Sequence, residues 1–233
     1  MFEREHHQRI AIVLQALDGV VLARHACLFG GGTAIALRYG EFRESVDLDF
    51  LVSDAACYRA LRQLLTGPAG LQPLVRPGMA IEQVREVRAD QYGIRTVVRS
   101  GGAAIKFEIV REGRIEIEAP GEPDVVCGVA TLTARDLAAS KLLANSDRWM
   151  DDAVYSRDLI DLAMMQPTRE LFHAGLAKAS GAYGEAPARD LARAIQRLRE
   201  RPHRLDACMR AMRITVPKAL LWQRVRALEK WVR

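Results

Sequence analysis

Two aspartates inside an apolar, strand-like run, placed shortly after three consecutive glycines, constrain this chain more than any other feature. The stretch reads Phe29-Gly30-Gly31-Gly32-Thr33-Ala34-Ile35-Ala36-Leu37-Arg38 and resumes as Ser45-Val46-Asp47-Leu48-Asp49-Phe50. Glycines behind a short apolar segment (Cys27–Phe29) let the backbone approach a ligand, because no Cβ stands in the way. Their N–H groups, with the start of a helix over Thr33–Tyr39, form a concavity suited to phosphates, to which Thr33 adds a hydroxyl. Taken alone, such a turn is as readily a tight strand–helix connection. Asp47 and Asp49 shift the balance. On a strand over Asp47–Val52 they leave from one face. Paired carboxylates among Leu48, Phe50, Leu51 and Val52 repel each other and resist desolvation unless a cation joins them. Magnesium, which takes a few carboxylates together with waters and substrate phosphates, suits this setting.

A third acid lies in Ile105-Lys106-Phe107-Glu108-Ile109-Val110, where alternation sends Lys106 and Glu108 to the face opposite Ile105, Phe107 and Ile109. If that strand lies beside the Asp47–Asp49 strand, Glu108 completes a three-acid metal cluster. Otherwise it is a cross-strand ion-pair partner or a solvated acid.

The organisation follows from periodicity and breakers. Apolar spacing predicts a helix over Glu3–Ala26 and another over Ala55–Leu65, and three partly alternating segments (81–88, 94–99, 104–110) predict a meander. Beyond about Pro123 the pattern turns helical, with helices over 133 onward, 152–165, 169–179, 186–199 and 216–231, punctuated by Pro167, Pro187, Pro202 and Pro217. The fold class expected is α+β, a domain over residues 1–124 followed by a helical domain over 125–233.

Composition limits the function classes. With 49% hydrophobic and 27% charged residues the chain is globular in balance. Its four cysteines form no CxxC pair, which argues against a zinc site or disulfide framework and for a reducing cytoplasm. No apolar run reaches the roughly 18 residues of a membrane helix. The scattered histidines, His6 and His7 included, lack metal-ligand spacing, and Trp222 and Trp231 read as packing residues. The charge is uneven: from Ala186 onward 13 Lys and Arg face 4 Asp and Glu, a net +9, and since the whole chain is +5 the rest carries −4. Such a tail suits an anionic partner, nucleic acid first, or is a solvated set of arginine-rich helices.

The glycine-to-aspartate stretch resembles the first motif of the polymerase-β-like nucleotidyltransferases, and most closely the AbiEii/AbiGii type, the toxin halves of bacterial abortive-infection toxin–antitoxin systems. Gly31, Gly32, Thr33, Arg43, Ser45, Asp47, Leu48, Asp49 and Phe50 match that pattern. A second block is similar to the family's Lys-Leu-x-Ala and Arg-Asp-x-x-Asp-Leu helices: Lys141-Leu142-Leu143-Ala144, Arg148, and Arg157-Asp158-Leu159-Ile160-Asp161-Leu162. Glu108 stands where the family usually has Asp, and nothing after Arg169 matches.

The resemblance implies a nucleotidyltransferase-like mixed sheet with helices and transfer of a nucleoside monophosphate from an NTP, releasing pyrophosphate. Asp47, Asp49 and Glu108 would hold magnesium, with Glu108 alternatively the general base. Gly31, Gly32 and Thr33 would cradle the triphosphate. Lys141 and Arg148 would meet its charge, and Asp158 and Asp161 would belong to the catalytic set. The implied acceptor is tRNA or another RNA, and the implied partner is an antitoxin. By spacing alone, Lys141, Asp158 and Asp161 are equally interhelical ion pairs. Two other classes are a dinucleotide-binding domain, which needs a glycine where Ile35 stands, and a non-catalytic nucleotide- or RNA-binding protein of the same fold.

Overall fold

The computed structural model describes residues 2–201 and 203–232; Pro202, expected to interrupt the last helices, lies outside them. The chain forms two compact units. One runs to Arg38 and resumes over Ser45–Thr133; the other combines Tyr39–Glu44 with the chain from Ala134 onward. The division falls past residue 124 because a small hairpin, β7 (Val125–Val126) and β8 (Val129–Ala130), stays with the first unit. There the Leu132 N–H donates to Phe29 O, and Arg38 reaches Thr131, Leu132 O and Asp124.

In the first unit the expected amino-terminal helix is broken into α1 (Glu5–Ala16) and α2 (Gly19–Arg24). Asp18 causes the break. Its N–H donates to Leu74 O, and its carboxylate caps α2 by accepting from Val20 and Val21. After β1 (Leu28–Phe29) come α3 (Gly31–Arg38), β2 (Leu48–Val52) and α4 (Ala55–Leu65), the last capped by Asp54. The meander is β3 (Glu82–Gln83), β4 (Arg88–Ala89), β5 (Gly93–Ser100) and β6 (Ala103–Arg111). Its first segment is two short pieces rather than one strand, and between them Thr96 Oγ1 bonds to Arg85 O.

The sheet runs β1-β2-β6-β5-β3, with β4 also on β5. The β2–β6 pairing is parallel and the other strand pairings described are antiparallel, so the sheet is mixed, not the doubly wound parallel sheet of a dinucleotide-binding domain. One face is a dry core of Leu48, Phe50, Val52, Ile94, Val98, Ile105, Phe107 and Ile109. Phe50 stacks between Phe29 and Phe107 at 5.5 and 5.2 Å, and α1 packs on β5 and β6. The other face carries Asp49, Glu108, Lys106 and Arg95 among Leu51, Val97 and Val110, and the site is built there.

The second unit contains α5 (Ala134–Arg148), α6 (Arg157–Met164), α7 (Arg169–Tyr183), α8 (Ala186–Glu200), α9 (Arg204–Ala211) and α10 (Lys218–Glu229). The helix expected over 152–165 begins only at Arg157, because Tyr155 and Ser156 take left-handed φ values of 51° and 52°. Helix α9 has no counterpart among the expected helices. Leu142, Leu143, Ile160, Phe172, Leu191, Ile195, Leu221 and Val225 fill the core. Phe42 is buried with them, its carbonyl accepting from Thr215 N–H. Trp231 packs on Phe172 at 5.3 Å, as expected of a packing residue. Among the described residues no helix is long and apolar enough to cross a membrane.

Candidate active site

The polar face of the sheet carries a row of charged side chains. Register pairs Asp49 with Glu108 across the parallel β2–β6 ladder, and Glu108 with Arg95 across β6–β5. Asp47 directly precedes β2, on the same side as Asp49 and next to the position of Lys106. Glu108 is nearly buried, at 8% exposure, and its carboxylate is held by Arg95 Nε at 2.6 Å and by the Lys106 ammonium. Burial pulls the Lys106 ammonium down. The bond to Glu108 and the charges of Glu108, Asp49 and Asp47 outweigh that and hold it above the ordinary lysine value. Lys106 therefore lies in the field of all three acids.

Close approach of the glycine turn to this row is built in. A Cβ on Gly31 would lie 2.5 Å from Asp49 Oδ2 and 2.8 Å from Asp49 Cβ, and Gly31 has φ +66°. Only glycine meets both conditions without strain. The Gly30 N–H donates to Asp49 O at 2.8 Å, tying the turn to the strand. The first turn of α3 then leaves the backbone N–H groups of Gly31 and Gly32 without helical acceptors, Gly31 lying against Asp49.

A buried network fixes the Asp-x-Asp segment. Thr33 Oγ1 donates to Asp47 O at 2.5 Å and shares a hydrogen bond with Ser45 Oγ at 2.8 Å. The Ser45 N–H in turn donates to His7 Nε2 at 3.1 Å. Thr33 and His7 are both fully buried. The hydroxyl expected to join the phosphate cradle is thus engaged inside the protein, where it sets the backbone of Asp47.

The second unit holds a separate charged cluster, all of it buried or half-buried. Arg43 grips Asp161 with two bonds, Nε–Oδ1 at 2.6 Å and Nη2–Oδ2 at 2.8 Å. Arg148 grips Asp158 likewise at 2.7 and 2.9 Å. Lys141 joins the two, 3.0 Å from Asp158 and 2.7 Å from Asp161. Burial alone would raise the Asp158 carboxyl; the charges of Lys141 and Arg148 and their hydrogen bonds win and hold it far below the usual carboxylate range. Three cations share two carboxylates, so the cluster keeps one positive charge in excess.

The family described as nucleotidyl transferase AbiEii toxin, type IV toxin–antitoxin system, matches residues 13–228, nearly the whole chain. The chain belongs to the AbiEii family. It is a nucleotidyltransferase of the toxin–antitoxin kind. No curated protein matches it. Solved structures share its fold. JHP933 from Helicobacter pylori superposes with a TM-score of 0.59 at 17% identity, covering 100% of this chain and 95% of the other. MenT4, a nucleotidyltransferase toxin from Mycobacterium tuberculosis, superposes at 0.51 and 18% identity, covering 98% and 85%.

Within this AbiEii chain the residues read from sequence fall into two groups. Gly31, Asp49 and Glu108 share one sheet face with Asp47 at its edge, and Thr33 supports them from beneath. Lys141, Arg148, Asp158 and Asp161 form the cluster of the second unit. Among the described residues no group of three or more His, Cys, Asp or Glu is gathered for a metal. The expected three-acid cluster is therefore not assembled, because Glu108 is turned to Arg95 and Lys106. Asp47 and Asp49 still fit magnesium by their chemistry: two carboxylates on one side of a strand, with Asp49 against the glycine turn. Sequence reasoning misses His7, Arg95 and Lys106. The alternation that puts Glu108 on the polar face puts Lys106 there too, whereas His7 gives no signal.

Proposed function

We propose that this enzyme transfers a nucleoside monophosphate from a magnesium–NTP complex to a hydroxyl of a nucleic-acid acceptor, RNA first, and that an antitoxin protein restrains it. The observation that carries the reading is the approach of Gly31 to Asp49 on a strand whose register neighbour is Glu108. It sets a phosphate-accepting backbone, two carboxylates and a third acid side by side.

Asp47 and Asp49 would hold magnesium, which when bound neutralises charge on the phosphates and orients them. The N–H groups at Gly31 and Gly32 receive the triphosphate. Glu108 takes the proton of the acceptor hydroxyl. Arg95 and Lys106 occupy only part of its lone-pair capacity, so a position remains for that proton. The hydroxyl oxygen forms a bond to the α-phosphorus as the bond from that phosphorus to the β-phosphate bridging oxygen breaks, and pyrophosphate leaves. Lys141 is assigned to phosphate charge: its ammonium has three donors, and Asp158 and Asp161 engage two of them. Those two acids, with Arg148, act by holding Lys141.

Incubation with each α-labelled NTP, magnesium and total RNA tests the reading, with Asp47→Ala and Asp49→Ala as controls. Labelled RNA and released pyrophosphate are expected from the wild type alone. Transfer that persists in either variant, or in excess chelator, would overturn it.

A further inference from the structure

Beyond Glu108 the polar face opens into a second feature. A cavity of about 570 Å³ is lined by Arg85, Arg88, Arg95 and Lys106, with Glu86 on its wall. Arg95 and Lys106 are the two cations that hold Glu108, so the cavity adjoins the carboxylate row directly. Arg85 and Arg88 are exposed, and among the described residues neither guanidinium is engaged in an ion pair. Many cations of the basic carboxy-terminal stretch are, by contrast, paired. Arg197, Arg201 and Arg204 converge on Asp152, Arg199 pairs with Glu229, and Lys218 pairs with Asp206.

Strand order gives the cavity a direction. The glycine turn follows β1 at one edge; then come Asp49 on β2, Glu108 on β6, Arg95 on β5, and Arg85 and Arg88 by β3 and β4 at the far side. The glycine turn and Arg95 are thus three strand spacings apart, about 14 Å. Phosphoryl transfer needs attacking and leaving oxygens roughly in line on opposite sides of phosphorus. With the triphosphate on the glycine side, the attacking hydroxyl comes from the Glu108 side, and the phosphates next to it in an acceptor strand fall toward the cavity.

We propose that the Arg85–Arg88–Arg95–Lys106 cavity binds the phosphodiester backbone of a single-stranded nucleic-acid acceptor whose terminal hydroxyl is presented to Glu108. This rests on the transferase reading above and adds where the acceptor lies. Backbone contacts of this kind are electrostatic and insensitive to sequence.

The test uses the full chain and a fluorescein-labelled single-stranded oligoribonucleotide of mixed sequence, followed by anisotropy without NTP or metal, so that turnover does not enter. Arg85→Glu with Arg88→Glu should weaken binding at least tenfold. The log–log salt slope should become shallower by about 1.4, roughly 0.7 for each single-strand phosphate that the protein no longer neutralises. The Tm shift given by magnesium and NTP should stay as in the wild type. Arg85→Lys with Arg88→Lys should keep most of the affinity, because backbone phosphates accept a point charge. Both positions are exposed, and an unchanged Tm without ligand verifies the fold. Unchanged oligonucleotide affinity and slope would overturn the proposal. So would selective loss of the NTP-induced shift, which would make the cavity a donor site. Binding of polyglutamate but not the oligonucleotide, abolished by the same substitutions, would overturn it in favour of an acidic protein partner. Because binding is read without catalysis, failure here leaves the transfer assay standing, and failure there leaves this measurement intact.

Discussion

Asp49 and Glu108 are register partners in the parallel β2–β6 pairing of the sheet. A parallel pair needs a long connection, and here that connection contains α4 and the first three strands of the meander. Two acids far apart in sequence thereby become lateral neighbours on one face, with Arg95 continuing the row. The arrangement separates a metal-suited pair, Asp47 and Asp49, from a carboxylate already neutralised by its own cations.

Gly31→Ala should remove transfer by orders of magnitude. The new Cβ would stand 2.5 Å from Asp49 Oδ2, and φ +66° costs alanine about 1 kcal/mol or more. A modest fall in Tm with a collapse in kcat is expected. Wild-type kcat in this variant would show that the close approach has no catalytic consequence.

Glu108→Gln keeps the shape and removes the charge. As the base, Glu108 should contribute about 10²–10⁴-fold to kcat with little change in NTP affinity. Rapid-quench measurement of the transfer step reads this directly, and a drop of only a few-fold would reduce Glu108 to a partner of Arg95 and Lys106.

His7→Ala leaves the buried Ser45 N–H without its acceptor, which costs about 1–3 kcal/mol. Because Ser45 also contacts Thr33, which holds Asp47 O, magnesium affinity should weaken together with Tm. Calorimetric titration with magnesium and nucleotide separates the effects. A lowered Tm with unaltered metal affinity would confine His7 to the core.

Asp161→Ala uncovers two cations, Arg43 and Lys141, in a buried setting. A loss of about 3–5 kcal/mol is expected, with activity per folded molecule reduced far less than by Lys141→Ala. Denaturant titration alongside single-turnover assays makes the comparison. The reverse ranking would place Asp161 in direct contact with the substrate.

Acid should expose the second cluster. Asp158 is held far below the usual carboxylate range when folded, so its stabilisation is complete above the unfolded value of about 3.9 and fades as pH falls below it. The Tm gap between wild type and Asp158→Asn should stay constant near neutrality and close below about pH 4. A gap that persists into strong acid would contradict the assignment.

The Gly-rich turn and Asp-x-Asp strand are readable because they break local rules: acids in an apolar run, glycines where a helix begins. Glu108 is reachable by alternation, but its neighbour is not, since register between distant strands leaves no local trace. The long first helix fails because Asp18 and the bond to Leu74 O override a continuous apolar period. The same holds at Tyr155 and Ser156, whose left-handed backbone no residue type announces. Thr33 is right in place and wrong in task. A hydroxyl beside a phosphate loop and one bonded to the backbone beneath it have the same sequence.

The six residues Tyr39–Glu44 belong to the second unit though they leave the ribosome within the first. Arg43 is separated from Asp161 by 118 positions. At about 5–20 residues per second, its partner is synthesised some 6–24 s later. Through that interval the guanidinium has to stay in water, and the unit it completes cannot close. A chain cut after Thr133 never supplies the partner, so the first unit cannot be excised there without leaving Arg43 stranded.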